Sequence, residues 1–341
     1  MSFREKERKR QVSNKNTLFS KEACNDGFYK NKSRSFCLDE DYSTENLHAS
    51  ISENAIEYFF CRQIIWHDGL TKIRPQDVPS NHLCCSQSFC VNSLFPFIDK
   101  PVLLKSVLQS LGYSVSEILP FILDKPLHNG SHPYLAFEWI GQKNYLGELK
   151  LGKVAADDDR DRGQGFTSAD FAVRFRREDG HVQIILGEWK YTEYYNNSSI
   201  QISASGTDRL ARIYGKELTK TRCPIKLPAN IRPEVLFFNP FDQMMRLQLM
   251  AAAMERGHEM EADFVTAIHI APKENKELMN RITSNELSCL GNNIHAIWSN
   301  LVGRDKFKAI YSEDIIPVIL NGCMNESWNN YMRLRYSWPS S

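Results

Sequence analysis

The 341-residue chain predicts an α/β fold, and three observations carry that prediction. Two apolar-rich stretches, Ser168 to Phe175 and Val182 to Tyr191, flank an Asp179-Gly180 turn, which is the pattern of a β-hairpin. Phe241 to Arg256 carries apolar residues at helical spacing and stops at Gly257. Phe264 to Ile270 then reads as another strand, so helices and strands alternate within one unit.

Residues 1–45 are polar with few periodic apolar positions and read as a disordered basic tail. Residues 46–130 read as a helical N-terminal elaboration. Its first helix opens on a Ser50-x-x-Glu53 capping box, carries Ile56, Phe59, Phe60 and Ile64 at helical spacing, and stops near Gly69. A turn-rich link through Pro75 and Pro79 leads to a second helix at 86–95, and a third helical region spans 101–124 with a break near Gly112. Residues 131–341 form the core, with strand-like segments at Phe137–Ile140 and Tyr145–Glu148 and a charged loop at 157–165. The motif hairpin follows, then a helix around 206–218. Asn239-Pro240 reads as an N-cap and first helical position for the Phe241 helix. Helical segments at 273–280 and 313–336 close the chain.

The composition, 42% hydrophobic and 24% charged, is that of a globular protein large enough for its own core. No apolar run approaches a membrane span, and Met1–Arg10 lacks the apolar stretch of a secretory signal. Nine cysteines without regular spacing fit reduced thiols and a cytoplasmic protein. The net charge of +1 is uneven. Residues 1–35 hold ten Lys/Arg against four Asp/Glu, a local +6 over a body of −5. The basic arm could touch phosphates, although a solvated leader is the favoured reading.

The hairpin carries the chemistry. Phe171, Val173 and Phe175 share one strand face, and Asp170, Arg174 and Arg176 share the other. Glu188 and Lys190, two residues apart, also point the same way. Folding at Asp179-Gly180 brings Asp170 beside Glu188. Two carboxylates and an ammonium suit a magnesium-dependent phosphodiesterase, because Mg²⁺ prefers oxygen ligands and takes one or two protein carboxylates. Asp170 and Glu188 would hold the metal, and Lys190 would position water or offset charge on the phosphorus. The bland reading is a salt-bridged, solvated strand pair.

The Ala169-Asp170 … Gly187-Glu188-Trp189-Lys190 pattern resembles the PD-(D/E)xK nuclease superfamily, with alanine where the signature has proline. Ser86-Gln87 with Asn92, Thr167-Ser168-Ala169-Asp170, Glu188–Glu193 and Phe241–Gln248 further resemble a bacterial family of restriction endonuclease-like proteins over residues 82–272. The resemblance implies a restriction endonuclease-like core, a mixed central β-sheet flanked by α-helices. It implies DNA as substrate, Mg²⁺ with Mn²⁺ as a substitute, Asp170 and Glu188 as ligands and Lys190 as the catalytic lysine. Enzymes of this type often act as homodimers; neither a dimer surface nor a partner methyltransferase is readable here. The alternative function is a non-catalytic nucleic-acid-binding module on the same fold.

Two further residues are candidates. Gln248 lies on or beside the apolar stripe of Phe241, Met245, Leu249 and Ala252, from which it could reach the metal-site water or serve as a core-edge amide. Glu138 sits in apolar company between Phe137 and Trp139, and by the resemblance an upstream carboxylate joins the metal site; an outward-facing strand residue is its plainer reading. Gln87 and Asn92 read as braces. His82, Cys84, Cys85 and Cys90 lack the paired spacing of a structural zinc site.

Overall fold

A computed structural model describes residues 1–68, 77–323 and 325–338. The described residues form ten strands: β1 (Gly27–Tyr29), β2 (Lys32–Arg34), β3 (Glu117–Leu119), β4 (Leu135–Trp139), β5 (Leu149–Lys150), β6 (Lys153–Val154), β7 (Ala169–Arg176), β8 (Val182–Trp189), β9 (Phe264–Ala271) and β10 (Phe307–Tyr311). The α-helices are α1 (Phe3–Leu18), α2 (Ala49–Cys61), α3 (Ser86–Leu94), α4 (Pro101–Ser110), α5 (Gly215–Leu218), α6 (Phe241–Arg256), α7 (Lys276–Met279), α8 (Ile294–Val302), α9 (Ser312–Gly322) and α10 (Glu326–Tyr336).

The central sheet runs β10-β9-β8-β7-β3, with β4 also paired to β7. β8, β9 and β10 are parallel, whereas β7 is antiparallel to β8, β3 and β4. This is the mixed, helix-flanked sheet of a restriction endonuclease-like fold. One sheet face, with Phe171, Val173, Phe175 and Ile185, packs against apolar residues of α2, α3, α4, α9 and α10. The other, with Ala172, Ile184 and Leu186, packs against α6 and α8. Both faces are therefore buried, and the arginine Arg174, expected to face outward, is buried as well. Among the described residues no helix is long and apolar enough to cross a membrane.

Several elements depart from expectation. Residues 1–45 are not a disordered tail: α1 runs from Phe3 to Leu18 with a full Ser2–Glu5 capping box, and its buried residues are Phe3, Glu7, Gln11 and Lys15. That stripe has helical spacing but is mostly polar. Glu7 accepts from Tyr191 Oη (2.8 Å) and Trp338 Nε1 (3.1 Å), Gln11 Nε2 donates to Tyr191 Oη (3.0 Å), and Lys15 Nζ donates to the Asn25 and Cys37 carbonyls. α2 starts under His48, whose ring accepts the Ser50 N–H, instead of the expected Ser50–Glu53 box. It ends at Cys61 because Gln63 turns left-handed (φ 54°) and the Ile64 N–H returns to the Phe59 carbonyl. The expected stop at Gly69 and the turn at Pro75 lie outside the described residues.

α4 is cut short where Gly112 adopts φ 84°, so the second half of the expected helix becomes β3. Tyr145–Glu148 is a turn tied by the Asn144 side chain, not a strand. The helix expected around 206–218 is a π-turn at Leu210–Tyr214 followed by the short α5. α6 is capped by Pro240 in helical conformation, not by Asn239. α9 and α10 replace the single segment at 313–336, and α8 and β10 had no counterpart in the sequence reading.

Candidate active site

The β7–β8 hairpin closes at Gly180 (φ 88°), where the Arg177 N–H reaches the His181 carbonyl. Its register pairs Phe171 with Gly187, and one more step places Asp170 opposite Glu188. Gly187 is required here, because a Cβ would sit 2.1 Å from the Phe171 ring. On the other side of β7, Phe137 pairs with Phe171 and Trp139 with Ala169, which leaves Glu138 beside Asp170. On the other side of β8, Glu188 pairs with His269. Glu188 and His269 are directly paired, and Asp170 and Glu138 continue that line across β7 and β4, so the four form one row across four strands.

Lys190 Nζ lies 2.5 Å from Glu188 Oε1, and both side chains are less than a tenth exposed. The Lys190 N–H extends the parallel ladder to the Ile270 carbonyl (2.8 Å), which fixes the residue just past the strand end. Asp170 Oδ2 accepts the Trp189 N–H (2.5 Å). The second oxygen of Asp170 and of Glu188 has no protein donor among the described residues. Burial raises the Asp170 carboxyl well above the usual range, and Glu188 and Glu138 add to the rise against the opposing Lys190. Burial works against the Lys190 charge, but Glu188, Tyr195, Asp170 and Glu193 outweigh it and hold the ammonium well above its ordinary value. Lys190 is thus held in the charged form, whereas the protein alone disfavours the charge on Asp170.

The row opens into a cavity of about 930 Å³ walled by α6. Asp242 of α6 pairs with Arg209 (3.0 Å) and Arg246 (3.0 Å), and Gln243 accepts from Tyr195 Oη (2.9 Å). Glu148 also lines the cavity, where it takes the Thr167 N–H (2.9 Å), the Thr167 hydroxyl (2.6 Å) and the Tyr214 hydroxyl (2.7 Å). Among the described residues no group of three or more His, Cys, Asp or Glu is set to hold a metal ion. The pair Asp170 and Glu188 is what the site offers, and it fits a hard cation that retains water and phosphate oxygens for its other positions.

A family described as restriction endonuclease associating with ARP matches residues 8–337. The chain belongs to this REase-ARP family. No curated protein and no solved structure matches it.

In this REase-ARP chain the other candidate residues fall in different places. Glu138 is in the cavity, buried and at φ 47°, but its oxygens are taken by Gln87 Nε2 (2.9 Å) and Ser168 Oγ (2.7 Å). It contributes negative potential to Asp170 instead of a free ligand oxygen. Gln87 is therefore a brace of the site, while Asn92 braces Asn46 and His48 elsewhere. Gln248 is a correction. It is fully buried, donates weakly to the Lys306 carbonyl (3.3 Å) and does not line the cavity. Both sides of α6 are buried, so lying beside an apolar stripe did not place it at the cavity. Asp242, Gln243 and Arg246 are the α6 residues that line the cavity.

Glu148, Tyr214 and Arg209 were missed, since each comes from a turn or irregular segment without periodicity. The 157–165 loop is tied to its neighbours: Arg160 donates to the Ile140 and Gly141 carbonyls (2.8 Å each), and Arg162 donates to the Glu138 carbonyl (3.1 Å) and Asp124 (3.1 Å). Gly163 in that loop sits 3.3 Å, measured from an ideal Cβ, from the Glu138 carboxylate.

Proposed function

We propose that this REase-ARP chain is a metal-dependent nuclease that hydrolyses DNA phosphodiester bonds. The observation that carries the reading is the juxtaposition of Asp170 and Glu188 with a charged Lys190 at the same end of the hairpin, all three lining the α6 cavity. A divalent cation, Mg²⁺ or Mn²⁺, held by Asp170 and Glu188 would supply a Lewis acid for a phosphoryl oxygen and lower the pKa of water. Such a cation would also compensate the carboxylate charge that burial and Glu188 now disfavour on Asp170. Lys190, held by Glu188 and the β9 ladder, places its ammonium where charge grows on the phosphorus. Arg246 and Arg209, partly neutralised by Asp242, give the α6 wall the donors to orient the phosphate. The family description joins its members to ARP, and we extend that association to this chain as its working context.

The test is incubation of supercoiled plasmid and single-stranded DNA with the parent, Lys190→Met and Asp170→Asn proteins in Mg²⁺ or Mn²⁺, alongside calorimetric Mn²⁺ binding. Metal-dependent cleavage that both substitutions remove, with Mn²⁺ binding weakened by Asp170→Asn, supports the reading. Mn²⁺ binding that is absent, or indifferent to Asp170→Asn, sinks it in favour of a non-catalytic nucleic-acid-binding module.

A further inference from the structure

Beside the active site lies a second, smaller cavity of about 420 Å³, built mainly from the segment expected to be disordered. Arg4 and Arg8 reach it from successive turns of α1, and Lys30 and Arg34 reach it from the β1–β2 hairpin. His67 and Ser86 line both cavities, so the two are neighbours. Thr192 and Glu193, directly after the Lys190-Tyr191 pair, form part of its wall.

Several arginines elsewhere in the molecule are neutralised by acids. Arg62, Arg162, Arg209, Arg246 and Arg256 each have a carboxylate partner. Among the described residues none of Arg4, Arg8, Lys30 and Arg34 does. Arg8 stacks on Phe36 at 4.1 Å and Arg34 approaches the same ring at 5.9 Å. The Nε atoms of both arginines are buried without a hydrogen-bond partner. Arg4 Nε donates to the Thr192 carbonyl (2.9 Å), which ties the cluster to the chain just past Lys190. The two acids of the pocket are already engaged: Asp68 accepts from Tyr29 Oη (3.0 Å) and Glu193 accepts the Tyr191 N–H (2.5 Å). Burial, followed by Arg4 and Arg34 among its like-charged neighbours, holds Arg8 below its ordinary value, so the cluster is crowded with uncompensated charge.

We infer that this pocket holds the phosphodiester backbone of the strand whose scissile phosphate lies at the Asp170–Glu188 row. The inference rests on the nuclease reading for the identity of that strand. Three arginine forks and an ammonium match phosphate oxygens in geometry and charge, and Tyr29 and Phe36 supply flat apolar surface beside them. Charge balance points the same way. A polyanion must approach a row of three carboxylates on a body of net charge −5, and residues 1–35, at +6, carry the compensating cations to the rim of that row. The helix α1 thereby becomes part of the substrate clamp.

The experiment measures binding of fluorescein-labelled DNA and RNA oligonucleotides of one sequence to the full chain by anisotropy in EDTA, so that nothing is cut, across about 50 to 200 mM salt. Parent protein is compared with Lys30→Gln, with the Lys30→Gln/Arg34→Gln pair, with Lys190→Met, and with Lys100→Gln, a distant exposed cation. Lys30 is exposed and its ammonium lies over the Tyr29 ring at 5.2 Å, so its substitution by Gln removes a charge from the surface and not from the core. Each removed pocket cation is expected to lower the magnitude of the slope of log K against log salt by about 1, uniformly across sequences, whereas Lys100→Gln leaves it unchanged. Equal slopes for parent and both pocket variants, or no binding of either oligonucleotide by the parent, overturn the inference. The two readings fail separately. Pocket variants that lose slope in a protein that cuts nothing keep the clamp and sink the nuclease, and unchanged slopes in a protein that cuts normally do the reverse. A preference between the DNA and RNA probes names the strand.

Discussion

The β7–β8 hairpin and the α1 segment meet at Tyr191, but they are held in place by different forces. The hairpin buries Ile184, Ile185, Leu186, Phe171, Val173 and Phe175 between two layers of helices, so dispersion and apolar burial fix its backbone. The carboxylate row sits at one end of the hairpin, and the buried polar side chains Arg174 and Gln183 lie farther along its strands. The α1 segment buries a stripe of Glu7, Gln11 and Lys15, and its docking depends on directional hydrogen bonds to Tyr191, Trp338 and Arg335. Arg335, fully buried at the far side of that contact, reaches Gln11 Oε1 (2.9 Å), Asn46 Oδ1 (2.8 Å) and the Leu83 carbonyl (2.8 Å) without a carboxylate partner. A site on a rigid apolar scaffold should fail chemically when its polar residues change. A region held by a polar network should fail structurally.

The largest expected effect follows from the first half of that contrast. Lys190→Met should lower DNA cleavage by about 10²-fold or more, the scale of losing one group aimed at transition-state charge. The apolar hairpin should still fold, so circular dichroism and the thermal midpoint should stay near those of the parent. A protein that unfolds instead would show that the Lys190–Glu188 pair supports the scaffold.

The second effect is structural. Arg335→Met should destabilise the chain by about 3 kcal/mol or more, because it orphans buried acceptors on Gln11, Asn46 and Leu83 together. Urea denaturation reads the loss, and protease cleavage within residues 1–46 should appear before the rest of the chain opens. A change below about 1 kcal/mol would mean that α1 is held by its apolar contacts after all.

The same contrast explains what was legible in the sequence. Alternation and the Asp179-Gly180 turn give the hairpin register to the residue, and with it the Asp170–Glu188 juxtaposition. Glu138 could be placed near the row, but its left-handed backbone and its capture by Gln87 and Ser168 depend on segments far apart in sequence. The α1 stripe has helical spacing in Phe3, Glu7, Gln11 and Lys15, but a periodicity search weights apolar residues, and three of these four are polar. Their partners, Tyr191, Trp338, Asn25 and Cys37, are visible only once the chain is folded.

A smaller effect concerns acid. Burial, reinforced by Arg8, lowers the His82 imidazole to about 3, and its ring accepts the Cys84 N–H (3.0 Å) in the neutral form. The unfolded chain, with an ordinary value of about 6.5, binds a proton that the folded protein refuses. Stability contributed by His82 is therefore complete above about 6.5 and is lost as the pH falls toward about 3. His82→Gln, which keeps an acceptor, should flatten this decline. Urea midpoints at neutral and mildly acid pH check it, and parallel declines for parent and variant would exclude His82 as a source of acid sensitivity.

The smallest effect is expected at Gln248, and it tests whether α6 serves the site by one face only. The amide is buried away from the cavity, with one long hydrogen bond and an unpaired Oε1. Gln248→Leu should leave metal-dependent cleavage within about twofold of the parent, and it relieves an unsatisfied buried oxygen, so stability should hold or rise slightly. Arg246→Gln, only two positions earlier but on the cavity side, should cut cleavage by about tenfold or more through weaker phosphate orientation. If the two substitutions had equal effects, α6 would act on the site through its packing as a whole, and the division between a chemical face and a packing face would not hold.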